Sequence, residues 1–289
     1  MAGDLDRAVV VTGASTGIGR AAVAKAVAEG AHVFPAVRKK ADADSLKKEF
    51  GEAVTPLIFD VTDEPAVRAA AETVGKALGT RKLFGLLNNA GMAVPGPLLH
   101  LTTEDLRHQM EVNFIGAHIV SQAFAPLLGA DPDRTGKPGR IVMISSIGGE
   151  RAAPFIGAYA ASKFAMEGYS EALRRELMLF GVDVIVIAPG AIATPIWGKN
   201  DEKALAPYGN TAYAPMLQRV LDYMQDLGRN GLPPSAVGDL VWKALTTPRP
   251  KTRYRIMRGE FLEMTLPQML PPRFVDNAIA KRLGLQPSK

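Results

Sequence analysis

Thr12-Gly-Ala-Ser-Thr-Gly-Ile-Gly19 stands between the apolar run Ala8 to Val11 and the alanine-rich stretch Arg20 to Glu29. A β-run, a glycine-rich turn and a helix, in that order, constrain the fold more than any other feature of the chain. Gly13 permits the tight turn, Gly17 lets backbone amides approach a ligand, and Gly19 lets the helix pack on the strand. The helix N-terminus adds positive potential, which suits the pyrophosphate of a dinucleotide. Ser15, Thr16 and Ile18 fill the rest of the G-x-x-x-G-x-G spacing. A glycine turn without a ligand is the plain alternative.

From Arg7 to about Thr194 short β-rich apolar runs alternate with longer helical patterns. The nominated strands are Ala8 to Thr12, His32 to Ala36, Val54 to Phe59, Leu83 to Asn88, Arg140 to Ser145 and Asp183 to Ala188. Each is continuously apolar, as a parallel strand buried on both faces requires. Ser162 to Phe180 reads as the clearest helix, stopped by Gly181. The expectation is an α/β chain, a single-domain Rossmann fold whose doubly wound parallel sheet carries helices on both faces. Pro35 lacks an amide donor inside its strand, so a bulge or an early end to pairing is expected there. Residues 195–289 hold 11 of the 21 prolines. That region reads as a less regular cover, with a substrate lid over about 195–232 and a tail over about 260–289.

With no cysteine in the chain, disulfides, thiolate metal sites and a cysteine nucleophile are excluded. His32, His100, His108 and His118 show no paired ligand spacing, so no metal site is expected. The formal charge is +5. Arg249, Lys251, Arg253, Arg255 and Arg258 cluster without an acid and match that surplus numerically. Lys251, Arg253 and Arg255 alternate with Thr252, Tyr254 and Ile256, the period of an edge strand with one charged face. No recognised nucleic-acid motif accompanies them, so no nucleic-acid partner is expected. The N-terminus lacks the order of a secretory signal, and a cytoplasmic setting is expected. Val112 to Ala130 reaches spanning length but contains Asn113, His118, Ser121 and Gln122, so it reads as a buried helix.

The remaining strand ends gather polar residues on the ligand-binding side of such a sheet. Asp60 and Val61 follow the third strand, and Asn89, Ala90 and Gly91 follow the fourth. Asp60 is also a candidate helix cap, and Asn88 is expected to tie strands together. The second strand runs into Arg38 and Lys39, with the nearest acid, Asp42, further on. Arg38 can fork onto a phosphate and Lys39 can reinforce it, which favours NADP(H) over NAD(H).

Tyr159 and Lys163 stand four residues apart and therefore share a helix face. An ammonium beside a phenol stabilises the phenolate and draws its pKa toward working pH. Ser146 ends the fifth strand and can polarise a carbonyl. TGASTGIG, Asn89-Ala90-Gly91, Asn113, Ser146, Tyr159-Ala-Ala-Ser-Lys163 and Pro189-Gly190 together resemble the short-chain dehydrogenase/reductase superfamily over about Arg7 to Trp197. A softer resemblance points to its hydroxysteroid and retinol dehydrogenase branch. The resemblance implies hydride transfer between nicotinamide and a carbonyl or alcohol carbon. Tyr159 would be the general acid/base, Ser146 would orient the oxygen, and Lys163 would tune Tyr159 and grip the ribose. Asn113 would hold a water beside Lys163, and Pro189, Gly190, Ile192 and Thr194 would contact the nicotinamide carboxamide.

Ile196, Trp197, Tyr208 and Tyr213, followed by Met216, Leu217, Val220, Leu221, Met224 and Leu227 at helical spacing, suggest an apolar substrate pocket. The same stripe serves equally as core or as a contact between copies, and a homodimer or homotetramer is expected from the family. The tail from Phe261 to Leu285 offers three roles: closing the pocket, meeting a partner subunit, or peripheral contact with a membrane. Two other functions compete with oxidoreduction: a nucleotide-binding protein without turnover, and a hydrolase using Ser146 with Lys163.

Overall fold

The computed structural model describes residues 3–196 and 201–287. Seven parallel strands form one sheet in the order β3-β2-β1-β4-β5-β6-β7. They are β1 (Asp4–Thr12), β2 (Ala31–Val37), β3 (Leu57–Ile58), β4 (Gly85–Asn88), β5 (Arg140–Ile144), β6 (Asp183–Pro189) and β7 (Arg253–Ile256). The connections are α1 (Gly17–Ala28), α2 (Lys40–Phe50), α3 (Glu64–Leu78), α4 (Thr103–Met110), α5 (Gly116–Ala125) and α6 (Gly157–Glu176). After β6 come α7 (Asp201–Leu205), α8 (Ala214–Asn230) and α9 (Pro234–Thr246), and after β7 come α10 (Leu266–Met269) and α11 (Pro272–Leu283). The strand order reverses between β1 and β4, which opens a crevice at their carboxyl ends.

The continuous apolar strands work by parity. Ala8 and Val10 of β1, Ile141 and Met143 of β5, and Val184 and Val186 of β6 enter one core, packed under α3, α5 and α6. Val9, Val11, Val142, Ile144, Ile185 and Ile187 enter the other, packed under α1 and α9. Every second side chain points to the opposite face, so a strand covered on both sides has no polar positions to spare. Arg140 secures the second layer, with its guanidinium donating to the carbonyls of Ala244, Leu245 and Thr247 at 2.9, 2.8 and 2.8 Å where α9 ends. A cation there also matches the negative end of the helix dipole.

On the β1 side Pro35 neither bulges the sheet nor ends its pairing. The β1–β2 register runs unbroken from Val9↔Val33 to Thr12↔Ala36, and the irregularity lies earlier, between Asp4 and Val9. The carbonyls of Val33 and Val37 accept from Thr55 and Phe59 at 2.9 and 3.0 Å, so Pro35, between them, turns its missing donor toward β3. The effect appears on that side. Only Leu57 and Ile58 remain of the strand expected over residues 54–59, with Val54 held by an isolated bridge to Val33.

The helix expected from Ser162 starts earlier, at Gly157, and passes into a tight turn over Leu177–Phe180 before Gly181 stops it in the left-handed region. The run read as a buried helix belongs to a longer helical stretch. Among the described residues Thr103–Ala130 is the one helical run long and apolar enough to cross a membrane, and half of its apolar window is buried here. Within it, Glu111–Ile115 forms a π-helical turn carrying Asn113. Such insertions bend side chains out of the regular helical pattern and gather at functional sites.

The second half covers the sheet's carboxyl end. Val220, Leu221 and Met224 of α8 pack with Phe155, Leu205 and Tyr208, joined by Leu283 and Leu285 from the tail. The expected stripe is therefore core for these residues. Trp197 lies outside the described residues, as does the side chain of Leu227. Tail residues Phe261, Leu262, Met269 and Phe274 are exposed, whereas Met264 is buried.

Candidate active site

One cleft of about 470 Å³ opens over the carboxyl ends of β1, β2, β4, β5 and β6. Gly13, Ser15, Thr16, Gly17 and Ile18 line it, with Arg38, Lys39, Asp60, Val61, Asn89, Ala90 and Gly91. Ser146, Tyr159, Lys163, Pro189, Gly190, Ile192 and Thr194 complete the expected set. Residues separated by more than half the chain thus meet because their strands end side by side.

The glycine turn is built to leave backbone exposed. Gly13 has φ +63° and Gly17 φ +56°, a region that side chains other than glycine seldom occupy. A Cβ on Gly17 would lie 3.1 Å from Thr194 Cγ2, so the turn and the loop after β6 touch directly. Gly19 does not line the cleft; a Cβ there would meet the Gly13 carbonyl oxygen at 2.3 Å, so its place is the contact of α1 with the turn. This cradle fits a dinucleotide pyrophosphate, because the backbone of the turn and the start of α1 line the same space.

Asn89 braces the turn. Its amide donates to the carbonyls of Thr12 and Gly13 at 2.9 and 3.1 Å, while the Thr12 hydroxyl accepts from the N–H groups of Asn89 and Ala90. Asn88 ties strands as expected, while its neighbour braces the turn. Asn88 itself is buried and donates to Ser121 of α5 and the Met143 sulfur at 2.8 and 3.3 Å.

At the adenosine end, the Arg38 side chain is 75% exposed, with Nη1 3.9 Å from Asp60 Oδ2. Asp60 is not the cap of α3: its Oδ1 accepts from the N–H and hydroxyl of Thr62 at 3.0 and 2.8 Å. Asp63 caps that helix instead, accepting from Ala66 N. Asp42, further along the chain than the strand end, does line the cleft. α2 begins at Lys40, so its first turn carries Asp42 back toward Arg38. Ile196, expected in the apolar pocket, lines the cleft; Met92, Val112, Ser145 and Pro195 line it too, and no motif in the sequence marks them.

Ser146, Tyr159 and Lys163 are all buried, at 8%, 7% and 4% exposure. Ser146 opens the 3-10 turn Ile147–Gly149, its Oγ accepting from Gly148 N at 3.0 Å. Tyr159 and Lys163 occupy the first two turns of α6. Lys163 Nζ donates to the carbonyl of Ile144, the last residue of β5, at 2.8 Å. It stands 5.7 Å from the centroid of the Tyr159 ring. Burial lowers Lys163 to about 8, with Glu167 opposing the shift. Burial raises the Tyr159 phenol above its ordinary value, and a hydrogen bond with Ser146 pulls it back down. The lowering of Tyr159 expected from the sequence is not the outcome here: desolvation raises the phenol, and Ser146 is the group that opposes it.

Asn113 stays out of the cleft wall. Its Oδ1 accepts from Met92 N at 2.8 Å and its Nδ2 donates to Met92 O and Ser162 Oγ, both at 3.0 Å. Both amide protons are engaged, so the side chain clamps the loop after β4 to α6, next to Lys163. Three of the four histidines have identified partners: His32 meets Thr55, His118 meets Tyr169, and His100 stacks edge-on against Tyr213.

A family model described as short chain dehydrogenase matches residues 7–205. The NADPH-dependent 3-dehydrocapnine reductase of Ornithobacterium rhinotracheale is 38% identical over 277 residues, covering 96% of this chain and 97% of the relative. Retinol dehydrogenase 16 of Mus musculus is 31% identical over 298 residues, covering 98% and 90%. The crystal structure of a short-chain dehydrogenase from Streptomyces avermitilis superposes with a TM-score of 0.75 at 27% identity, covering 98% of both chains. With the glycine turn, the buried serine and the tyrosine–lysine pair in one cleft, the chain belongs to the short-chain dehydrogenase/reductase family and is an NAD(P)-dependent oxidoreductase, resembling its retinol dehydrogenase branch.

Proposed function

We propose that this protein uses NADP(H) to interconvert the carbonyl and alcohol forms of an apolar steroid-, retinoid- or lipid-like substrate. The observation that carries the reading is the convergence of Ser146, Tyr159 and Lys163 in the cleft that the glycine turn opens. The nicotinamide, when bound, supplies or takes up the hydride. Tyr159 holds the transferable proton on its phenol oxygen and delivers it to the substrate oxygen in reduction. Ser146, already hydrogen-bonded to Tyr159, orients that oxygen and polarises the carbonyl. Lys163 keeps positive charge beside the phenol and grips the ribose. Asn113, through Met92 and Ser162, holds the wall and the helix in which Lys163 sits.

Arg38 and Lys39 would take the ribose phosphate, Asp60 and Val61 the adenine side, and Pro189, Gly190, Ile192 and Thr194 the carboxamide. The exposed Arg38 head supports a phosphate over a bare diol, although Asp42 and Asp60 share that corner. The O. rhinotracheale relative, named as an NADPH-dependent reductase, agrees with this preference. Met92, Val112 and Ile196 in the cleft wall support an apolar substrate under a lid at about 195–232. The chain is proposed to act as one nucleotide-binding unit in the cytoplasm, as a homodimer or homotetramer.

The test is NADPH oxidation with a panel of steroid, retinoid, long-chain aliphatic and quinone carbonyls. Turnover of an apolar ketone with NADPH over NADH is expected. Nucleotide binding without turnover of any member would favour the rival non-catalytic reading.

A further inference from the structure

Charges of alternating sign run from the cleft to the edge of the sheet. Glu167 follows Lys163 by one turn on α6 and so shares its face. Glu167 Oε1 accepts from Arg253 Nη2 at 2.6 Å, and the same nitrogen lies 2.8 Å from Glu150 Oε1. Arg255 grips Glu150 from the other side, its Nε donating to the two carboxylate oxygens at 2.9 and 3.1 Å and its Nη2 donating as well. Its Nη1 reaches Glu260 at 3.3 Å. The carboxylate side chains of Glu150 and Glu167 are only 10% and 15% exposed. Arg253 and Arg255 of the basic stretch are therefore paired within the chain.

Burial of this many charges is costly unless each meets an opposite sign, so an ordinary surface ion pair gives no reason for it. Glu167 lies one turn from Lys163 on α6, and the Lys163 ammonium itself is held by Ile144. Glu150 closes the 3-10 turn that Ser146 opens. That turn lies directly on the helix: a Cβ at Gly149 would stand 3.0 Å from the Lys163 backbone carbonyl. Resting on the reading of Ser146, Tyr159 and Lys163 as the reacting groups, we propose that Glu167, fixed by Arg253, is a positioning residue whose carboxylate keeps the Lys163 ammonium charged beside Tyr159. Glu150 and Arg255 extend the same clamp from β7 to the Ser146 turn.

The charge balance around Glu167 makes the pairing consequential. Burial raises Glu167; the Ser145 hydroxyl and Arg253 pull it back down, Glu150 pushes it up, and Lys163 pulls it down. Lys163 itself is driven down by burial, with Glu167 as the opposing charge. Neutralising Glu167 therefore lets Lys163 lose its proton at lower pH.

Glu167→Gln keeps the size and hydrogen-bonding capacity while removing the charge. Lys163 is to be titrated in nucleotide-free protein by NMR of ¹³Cε-labelled lysine, its signal identified by loss in Lys163→Met. The expected result is a midpoint about one pH unit below that of the unmodified protein, with the alkaline limb of kcat/KM for NADPH-linked reduction moving in parallel. Glu167→Asp, which keeps the charge but draws it back, should move both by about half as much, and it replaces Glu167→Gln if that variant does not fold. A folded variant with an unmoved Lys163 midpoint overturns the proposal even where activity or Tm falls. Absence of ketone turnover by the unmodified protein would instead sink the functional reading and leave the titration as a separate measure of the pairing.

Discussion

Lys163 Nζ stands 5.7 Å from the Tyr159 ring centroid, one turn along the same helix, yet donates its hydrogen bond to the Ile144 carbonyl at 2.8 Å. The ammonium is thus anchored to the end of β5, and the sheet rather than the phenol sets its position. That arrangement holds the cation beside the phenol proposed to transfer the proton. It also buries a charge, so chemistry and stability are opposed at this residue.

Tyr159→Phe removes the proton-transfer oxygen and leaves the glycine turn untouched. Turnover should fall by about 10²- to 10⁴-fold, the usual contribution of a positioned acid/base. NADPH affinity, followed by fluorescence titration, should stay within about threefold, well under the tenfold change that ~1.4 kcal/mol of binding energy represents. Full activity in the variant would refute the assignment.

Arg38→Ala tests the cofactor preference. A charge-assisted bond to a phosphate contributes ~1.5–3 kcal/mol, so NADPH affinity should drop by about tenfold or more. NADH affinity should hardly change. Equal losses for the two nucleotides would assign Arg38 to the fold or to Asp60 rather than to the phosphate.

Lys163→Met should inactivate the protein and stabilise it. The folded pKa, about 8, lies below the ordinary lysine value of 10.5, so the unfolded chain binds more protons between those limits. Stability of the unmodified protein therefore rises with pH across that window. At pH 7 the variant should be more stable by on the order of 2–3 kcal/mol in urea unfolding, with the gap closing as pH approaches about 10. A less stable variant at pH 7 would mean that the Ile144 hydrogen bond outweighs desolvation.

Two glycine substitutions should act with opposite signs. Gly19→Ala drives a methyl into the Gly13 carbonyl, 2.3 Å away, and should cost ~1–3 kcal/mol together with nucleotide affinity. Gly168 lies within α6 with nothing within 4 Å of its Cβ position, so Gly168→Ala should raise stability by ~0.5–1 kcal/mol. Thermal unfolding of the two variants side by side decides it. A destabilised Gly168→Ala would point to a contact that the single chain lacks, such as a neighbouring subunit.

The strands were readable wherever both faces of the sheet are covered, because residues such as Val9 and Val10 must then both be apolar. β3 was not readable to its true length. Its shortening follows from Pro35 on the neighbouring strand, and nothing in residues 54–59 records which neighbour they will meet. Asp42 was misjudged for a similar reason: counted along the chain it is remote from the strand end, while the first turn of α2 folds it back. Asn113 carried a polar signal inside an apolar run, but the π turn and its partners Met92 and Ser162 were invisible.

The order of chemical groups along the chain, namely glycine turn, strand-end serine and tyrosine–lysine helix, was determined by sequence alone, because each depends on local spacing and side-chain periodicity. What those groups experience was decided by the tertiary structure. Desolvation beneath α6 sets the proton affinities of Tyr159 and Lys163, and the edge strand's arginines turn inward to Glu150 and Glu167 instead of outward to a ligand. Burial and charge pairing arise between segments far apart in the chain, so they exist only after the sheet has brought its strand ends together.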